Sequence, residues 1–374
     1  MKIAIPNKIV GAFTLVLLLS GVPYAIAASP NLLKAKQEAA AGGYIFFTSH
    51  DEIVAMAKKE GKLRVMIGLE NPNFKPLIEG FKQKYPFITD IHLEEMTSGA
   101  YQRIPLELKA GQAKGWDITH IPSQFGKEYM PYLMKYDILG MAGQGVLKID
   151  PRMVHSSERN IIGVTSTIGV VSYNKKLISD DKVPDKWEGF LRPEFKGKKF
   201  IMDIRPLQIA GLVPAWGLER TLDFARKLAA QDPLWGRGTA RINSSVAAGE
   251  YALFLENNFS SVKRAMSKDP TGSLNYKLLE PVSTIIGHHS SGILKTADQP
   301  HAALLWLEFL VSPEGQEIID KYEPLKASVF TPGSAVAQEV RGKELSVVDW
   351  NHFTNFEGYT EKIYAAWGFP KADK

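Results

Sequence analysis

The chain contains no cysteine, so it has no disulfide, thiolate metal site or catalytic thiol. Asp203 and Arg205 stand two residues apart, just before Pro206. A guanidinium oriented by a neighbouring carboxylate is a bidentate clamp for carboxylate, phosphate or sulfonate; the alternative is a solvated surface arginine. Gln208 follows three residues after Arg205. In 247–261, AAGEYALFLENNFSS, the apolar run Tyr251 to Leu255 breaks off at Glu256, Asn257 and Asn258. Asn-Asn before Phe259, Ser260 and Ser261 suits a turn into a helix. Asn258 is then either a plain N-cap, worth about 1 kcal/mol to that helix, or a ligand contact. Ser98, within Thr97-Ser98-Gly99, has the same two readings. Glu70, beside Asn71, would repel an anion but accept hydrogen bonds from an amine or hydroxyl, so a zwitterion or polar organic acid would satisfy both signs. His288 and His289 are adjacent, and neighbours on a strand point to opposite faces, so they do not readily share one metal. No other histidine stands at a typical ligand spacing. The reading therefore assigns no metal and no cofactor, and keeps His289 as a ligand contact.

These groups need elements that bring them together. Ser49 to Glu52 is a capping-box pattern opening a helix that Gly61 ends. A strand follows from Lys62 to Leu69. Phe74, Leu77, Ile78 and Phe81 then recur at helical spacing, one face packed on a sheet. Ile88 to Met96 returns to strand. Thr97-Ser98-Gly99 caps a helix carrying Tyr101, Ile104 and Leu108, which Pro105 must kink or shorten. Trp116 to Ile121 is a third strand. Strands alternating with helices through short loops imply parallel pairing and an α/β lobe. In open parallel sheets ligands sit beyond the carboxyl ends of strands, where helix N-termini offer unpaired N–H groups. That rule collects Glu70, Asn71, Thr97, Ser98, Gly99, Tyr101, Ser123, Asp203, Arg205, Gln208, Asn257 and Asn258 as candidate contacts. Tyr101 is the aromatic candidate for a cleft wall. Trp116, Trp187, Trp216, Trp235 and Trp306 are read as core. The aromatic segment 350–370 is read as a helix packing across the first lobe.

Lys2 and Lys8 precede an apolar stretch, Ile9 to Val22, and Ala25-Ile26-Ala27 supplies small residues for a signal peptidase. That stretch is too short for the roughly 20 residues of a membrane-spanning helix. Residues 1–27 are therefore expected to be a signal peptide, the mature protein being periplasmic, free and soluble. The remainder divides into a first lobe over 28–164, a second over 165–290, and a return to the first lobe with C-terminal helices over 291–374. The formal charge of +5 falls to +3 without Lys2 and Lys8, and the basic residues are mixed with acids, so nucleic acid is not a partner. A monomer is expected.

Five phrases in order carry a resemblance: EGKLRVMIGLENPNFKPLIEGFKQKYP at 60–86, SYNKKL at 172–177, WEGFLRPEFKGKKFIMD at 187–203, AAGEYALFLENN at 247–258 and FLVSPEGQEII at 309–319. Together they resemble the extracellular solute-binding proteins of bacterial ABC importers, in the branch that includes ferric-ion, thiamine and phosphonate binders. The resemblance implies two α/β lobes of the class II periplasmic-binding type, each a mainly parallel sheet flanked by helices, closing about a hinge on a small-molecule ligand. It implies an ABC permease in the inner membrane as partner, and no catalysis. Iron binders of that branch carry Tyr-Tyr directly after the Asn-Asn. Here Phe259-Ser260 stands there, and neither gives a phenolate oxygen. The expected ligand is a small polar or anionic organic molecule, with ferric or other metal binding as the alternative. The rival class is an exported hydrolase. No G-x-S-x-G, H-E-x-x-H or G-x-x-x-x-G-K supports it, although scattered acids leave a glycosidase pair open.

Overall fold

A computed structural model describes residues 29–122, 126–287, 289–323 and 325–369. The proposed signal peptide, Ser123 and His288 lie outside those residues. The first strand, β1 (Lys62–Ile67), buries Leu63, Val65, Met66 and Ile67. It is the centre of a parallel trio with β2 (Asp90–Glu95) and β3 (Ile118–Pro122). β4 (Ile161–Gly163) leaves this lobe and β5 (Ser166–Asn174) enters the other. There β6 (Ile201–Asp203), β7 (Leu234–Gly236), β8 (Leu253–Asn258), β9 (Leu274–Lys277) and β10 (Val282–Ile286) follow, and β11 (His289–Ile293) returns to the first sheet. β12 (Leu345–Val348) pairs with β10. The sheet orders are β2-β1-β3-β11-β4 and β12-β10-β5-β8-β6-β7, with β9 beside β5. These are the two lobes of a periplasmic-binding fold. Both sheets are mixed: the strand-helix-strand units pair in parallel, and each antiparallel pairing between these strands involves β5 or β11, the strands that carry the chain across the hinge.

The first core forms because the helix Phe74–Lys84 presents Leu77 and Phe81 to the sheet. Phe81 meets Trp306 edge-on at 5.0 Å and Phe309 at 5.5 Å. Those partners sit on Pro300–Leu310, a helix buried nearly all round, as its apolar sequence requires. Trp187, Phe190 and Phe200 fill the second core, where the Trp187 indole N–H donates to the Pro281 carbonyl at 3.0 Å.

Three expectations are corrected. Pro105 does not end its helix, which continues past it to Lys109, so the shortening reading is set aside. The polar end of the 247–261 stretch is strand: β8 continues through Asn258 because Asn257 and Asn258 pair with Val170 and Gly169 of β5. Most consequential is the C-terminal segment. Its helix Phe356–Ala366 packs on the second lobe, not the first: Ile363 and Trp367, four residues apart on one face, join the core of Leu222, Phe224 and Leu228.

Candidate ligand cleft between the lobes

Between the lobes lies a cavity of about 570 Å³, within the range of small-ligand sites. Its floor is built where the chain crosses: Ile121 of β3, Ile161 of β4, Ser290 of β11 and Ile285 of β10. The second lobe adds Arg205 and Leu207, and the C-terminal segment closes one side with Trp350, Phe353 and Tyr364.

Among the described candidates, Arg205 lines this cavity. Its Nε donates to Asp203 Oδ1 at 2.9 Å and its Nη2 to Oδ2 at 2.7 Å. The Asp203 side chain is buried and Arg205 is 44% exposed, so the carboxylate orients a guanidinium that still faces solvent. The pair raises the Arg205 pKa further, so the charge is permanent.

A second cluster gathers at the end of β1. His120 of β3 and His289 of β11 have ring centroids 5.3 Å apart, and Tyr101 lies 5.6 Å from His120. Gly68 makes room for them, since a Cβ there would come within 2.6 Å of the His120 ring and 2.7 Å of His289 Nδ1. His120 Nδ1 lies 3.0 Å from the Ser290 carbonyl oxygen, which can only accept, so that nitrogen carries the proton. Burial raises the Tyr101 pKa, with Glu95 adding to the rise, which keeps the phenol protonated. Next to this cluster, Glu70 accepts from Arg264 of the second lobe.

Other candidates serve the scaffold. Asn257 is buried, its Nδ2 donating to Ser172 Oγ and Asn243 Oδ1 at 2.8 Å each. Asn258 Oδ1 accepts from the Ser261 N–H at 2.9 Å, the plain N-cap of Phe259–Met266. Gln208 is buried against Ser283, whose Oγ donates to its Oε1 at 3.0 Å. Phe259 packs edge-on to Tyr276 at 5.3 Å as core. Asn71, Thr97 and Gly99 are exposed at helix starts, and Ser98 begins the helix there. His155, Trp350, Tyr364 and Arg264 escaped selection. Only Arg264 had a usable signal, its place five residues into the helix after Asn-Asn. Among the described residues no group of three or more His, Asp or Glu could hold a metal ion, and no helix is long and apolar enough to cross a membrane.

Two lobes, paired hinge strands and a cavity walled from both sides define a binding protein of the periplasmic type. The chain belongs to the bacterial extracellular solute-binding protein family, whose model matches residues 124–355. It is 29% identical over 196 residues to iron uptake protein A1 of Synechocystis sp., a match covering 48% of this chain and 54% of that protein, so it spans about half the length of that curated relative. Among solved structures, a Trichodesmium FutA (IdiA) in complex with iron and citrate superposes with a TM-score of 0.64 at 18% identity, covering 83% of this chain and all of that one. The apo ferric ion-binding protein A of Pasteurella haemolytica gives 0.62 at 15%, covering 84% of this chain and 100% of the other. A GABA receptor gives 0.61 at 16%, covering 84% and 99%. At these identities the likeness is one of fold.

Proposed function

We propose that the protein is the solute-capturing component of an ABC importer. In the periplasm its lobes close on a small molecule, and the closed form delivers that molecule, chemically unchanged, to a permease in the inner membrane. The observation that carries this reading is the cavity bounded by both lobes, with Arg205 held at its edge by Asp203. A ligand touching both walls favours the closed form, which is all that capture requires.

The ligand we favour from the residues is a small polar or anionic organic molecule, because a fixed guanidinium recognises carboxylate or phosphonate oxygens. A second reading, ferric iron, is favoured by the relatives named for iron and by the cluster of His120, His289 and Tyr101. Iron carried with an organic acid unites the two, since the acid would bring oxygen ligands that Phe259 and Ser260 do not supply.

Isothermal titration of the purified protein with citrate, ferric chloride and ferric citrate, read alongside its visible spectrum, separates these readings. Heat with citrate alone favours the organic acid. Heat with ferric citrate alone favours the combined cargo. Uptake of ferric ion with a tyrosinate charge-transfer band favours iron. Absence of any thermal shift across metals, phosphonates, thiamine, polyamines and organic acids would sink solute capture itself.

A further inference from the structure

The C-terminal helix Phe356–Ala366 carries two stripes with different neighbours. Ile363 and the following Trp367 are buried in the second-lobe core, whereas Phe356, Thr360 and Tyr364, at i, i+4 and i+8, line the cavity between the lobes. Phe353, just before the helix, lines the same space, as do Met130 of the first lobe and Leu207 of the second. All six are partly exposed, unlike the buried isoleucines of the floor, so they keep surface that a bound molecule can cover.

Charge in the cavity is sparse and balanced. Among the described residues its walls carry two cations, Arg205 and Lys127, and two carboxylates, Glu128 and Glu357. His155 adds none, because burial pushes its pKa down to about 4. Arg205 bonds Asp203 through Nε and Nη2, so Nη1 remains for one oxygen of a ligand. Tyr364 stands within electrostatic reach of that guanidinium; burial raises its pKa and Arg205 opposes the rise, leaving a protonated phenol beside the charge.

One such anchor satisfies one acid group. Each further carboxylate of a polyacid would be desolvated against aromatic and aliphatic surface or would meet Glu128 and Glu357, and either lowers affinity. Covering the partly exposed side chains with hydrocarbon is favourable in proportion to the area covered. A cavity of about 570 Å³ is also far larger than acetate or a lone metal ion fills.

We infer that the cavity takes a monoacid with an apolar body, a ring or a short hydrocarbon chain: its carboxylate or phosphonate meets Arg205 and its body lies against Phe353 and the stripe of Phe356, Thr360 and Tyr364. This rests on the reading of the protein as a solute-binding protein and narrows it, setting citrate and ferric citrate aside as cargo. The C-terminal helix is then the wall that determines specificity.

Isothermal titration of the full protein tests this with five probes. Phenylacetate and octanoate are monoacids with apolar bodies, acetate is the acid without a body, benzyl alcohol the ring without a charge, and citrate the hydrophilic polyacid. Phenylacetate or octanoate should bind at least about tenfold more tightly than the other three. Thr360→Glu puts a carboxylate on the stripe and should weaken the monoacid by roughly tenfold or more, with a melting temperature close to that of the parent. Phe356→Ala should weaken the monoacid by roughly tenfold; if that variant does not fold, Thr360→Glu decides the placement. Monoacids bound no more tightly than acetate or citrate overturn the inference and leave solute capture standing, as does a wider screen answered only by metals, cations or hydrophilic acids. Unchanged affinity for a bound monoacid in the folded variants overturns the placement on the C-terminal helix. Failure of every probe and of the wider screen removes solute capture, and this inference with it.

Discussion

Glu70 Oε1 lies 3.1 Å from Arg264 Nη2, and the two residues belong to different lobes. Glu70 follows β1, whereas Arg264 sits on the helix that follows β8. The ion pair therefore joins the two lobes. Both side chains are nearly half exposed, which limits the pair to at most about 1 kcal/mol, yet a hinge equilibrium of a few kcal/mol is sensitive to that much. Arg264→Ala should shift the ligand-free protein toward the open form, seen as a larger radius of gyration in X-ray scattering. Raising salt should produce the same shift in the parent and little in the variant. Identical scattering profiles would remove the pair from control of closure.

Arg205 should matter to acidic ligands far more than to the fold. Arg205→Ala is expected to weaken binding of an anionic probe by about 1–3 kcal/mol, the worth of a lost charge-assisted hydrogen bond. Asp203→Asn should show part of that loss, because the arginine keeps its charge and loses its orientation. Isothermal titration measures both, and an unchanged affinity in Arg205→Ala would place the residue outside the site.

Gly287 stands at the crossing from β10 to β11 with φ of +72°, and a Cβ there would lie 2.7 Å from the Trp350 ring. Across from it, a Cβ on Gly163 would meet the Gly287 Cα at 3.0 Å and the same indole at 3.1 Å. Gly287→Ala thus combines backbone strain with a clash against a buried ring, and should cost about 1–3 kcal/mol in urea unfolding. A stability equal to that of the parent would mean that the indole yields freely.

Asn257 should behave as scaffold. Asn257→Ala removes the donor to Ser172 Oγ and Asn243 Oδ1 and the acceptor of the Asn258 N–H, leaving Ser172 and Asn243 bonded only to each other, so a loss of about 1–3 kcal/mol in stability is expected, with ligand affinity unchanged at temperatures where the variant is folded. A large affinity loss with normal melting would return Asn257 to the site.

Glu256 provides a pH test. It is buried and accepts from the Gln208 and Ile209 N–H groups at 2.8 and 2.9 Å, but desolvation outweighs those bonds and pushes its pKa up to about 8. The folded protein then holds a proton that the unfolded chain releases above its ordinary carboxyl range. Stability attributable to Glu256 is present below about pH 4.5 and is lost as pH rises toward 8. Measured against Glu256→Gln, the parent should lose at least about 1.4 kcal/mol over that interval, the worth of one pKa unit. A constant difference between the two proteins from pH 5 to 8 would show the carboxyl to be ionised throughout.

Much of the fold was legible in local pattern. Apolar spacing placed a strand from Lys62 to Leu69, observed as Lys62–Ile67, and a helix carrying Phe74 to Phe81, observed as Phe74–Lys84, and alternation of the two periods called for α/β lobes. The Asp203–Arg205 pair was legible too, because its partners are two residues apart. Glu256 and Asn257 were assigned to a loop because their polarity outweighed strand propensity; pairing with β5 and buried hydrogen bonds satisfy them as strand instead.

Short-range chemistry thus specified which elements form, and narrowed Asn258 to a helix cap or a ligand contact and Arg205 to an oriented clamp or a solvated surface residue. Placement of residues far apart in the chain was decided by packing. Trp350 reaches the hinge glycines and His155 because the face carrying Ile363 and Trp367 is buried on the second lobe rather than the first. Glu70 meets Arg264 across 194 residues for the same kind of reason. Burial of an apolar face rewards any complementary surface, and no local spacing says which surface that will be.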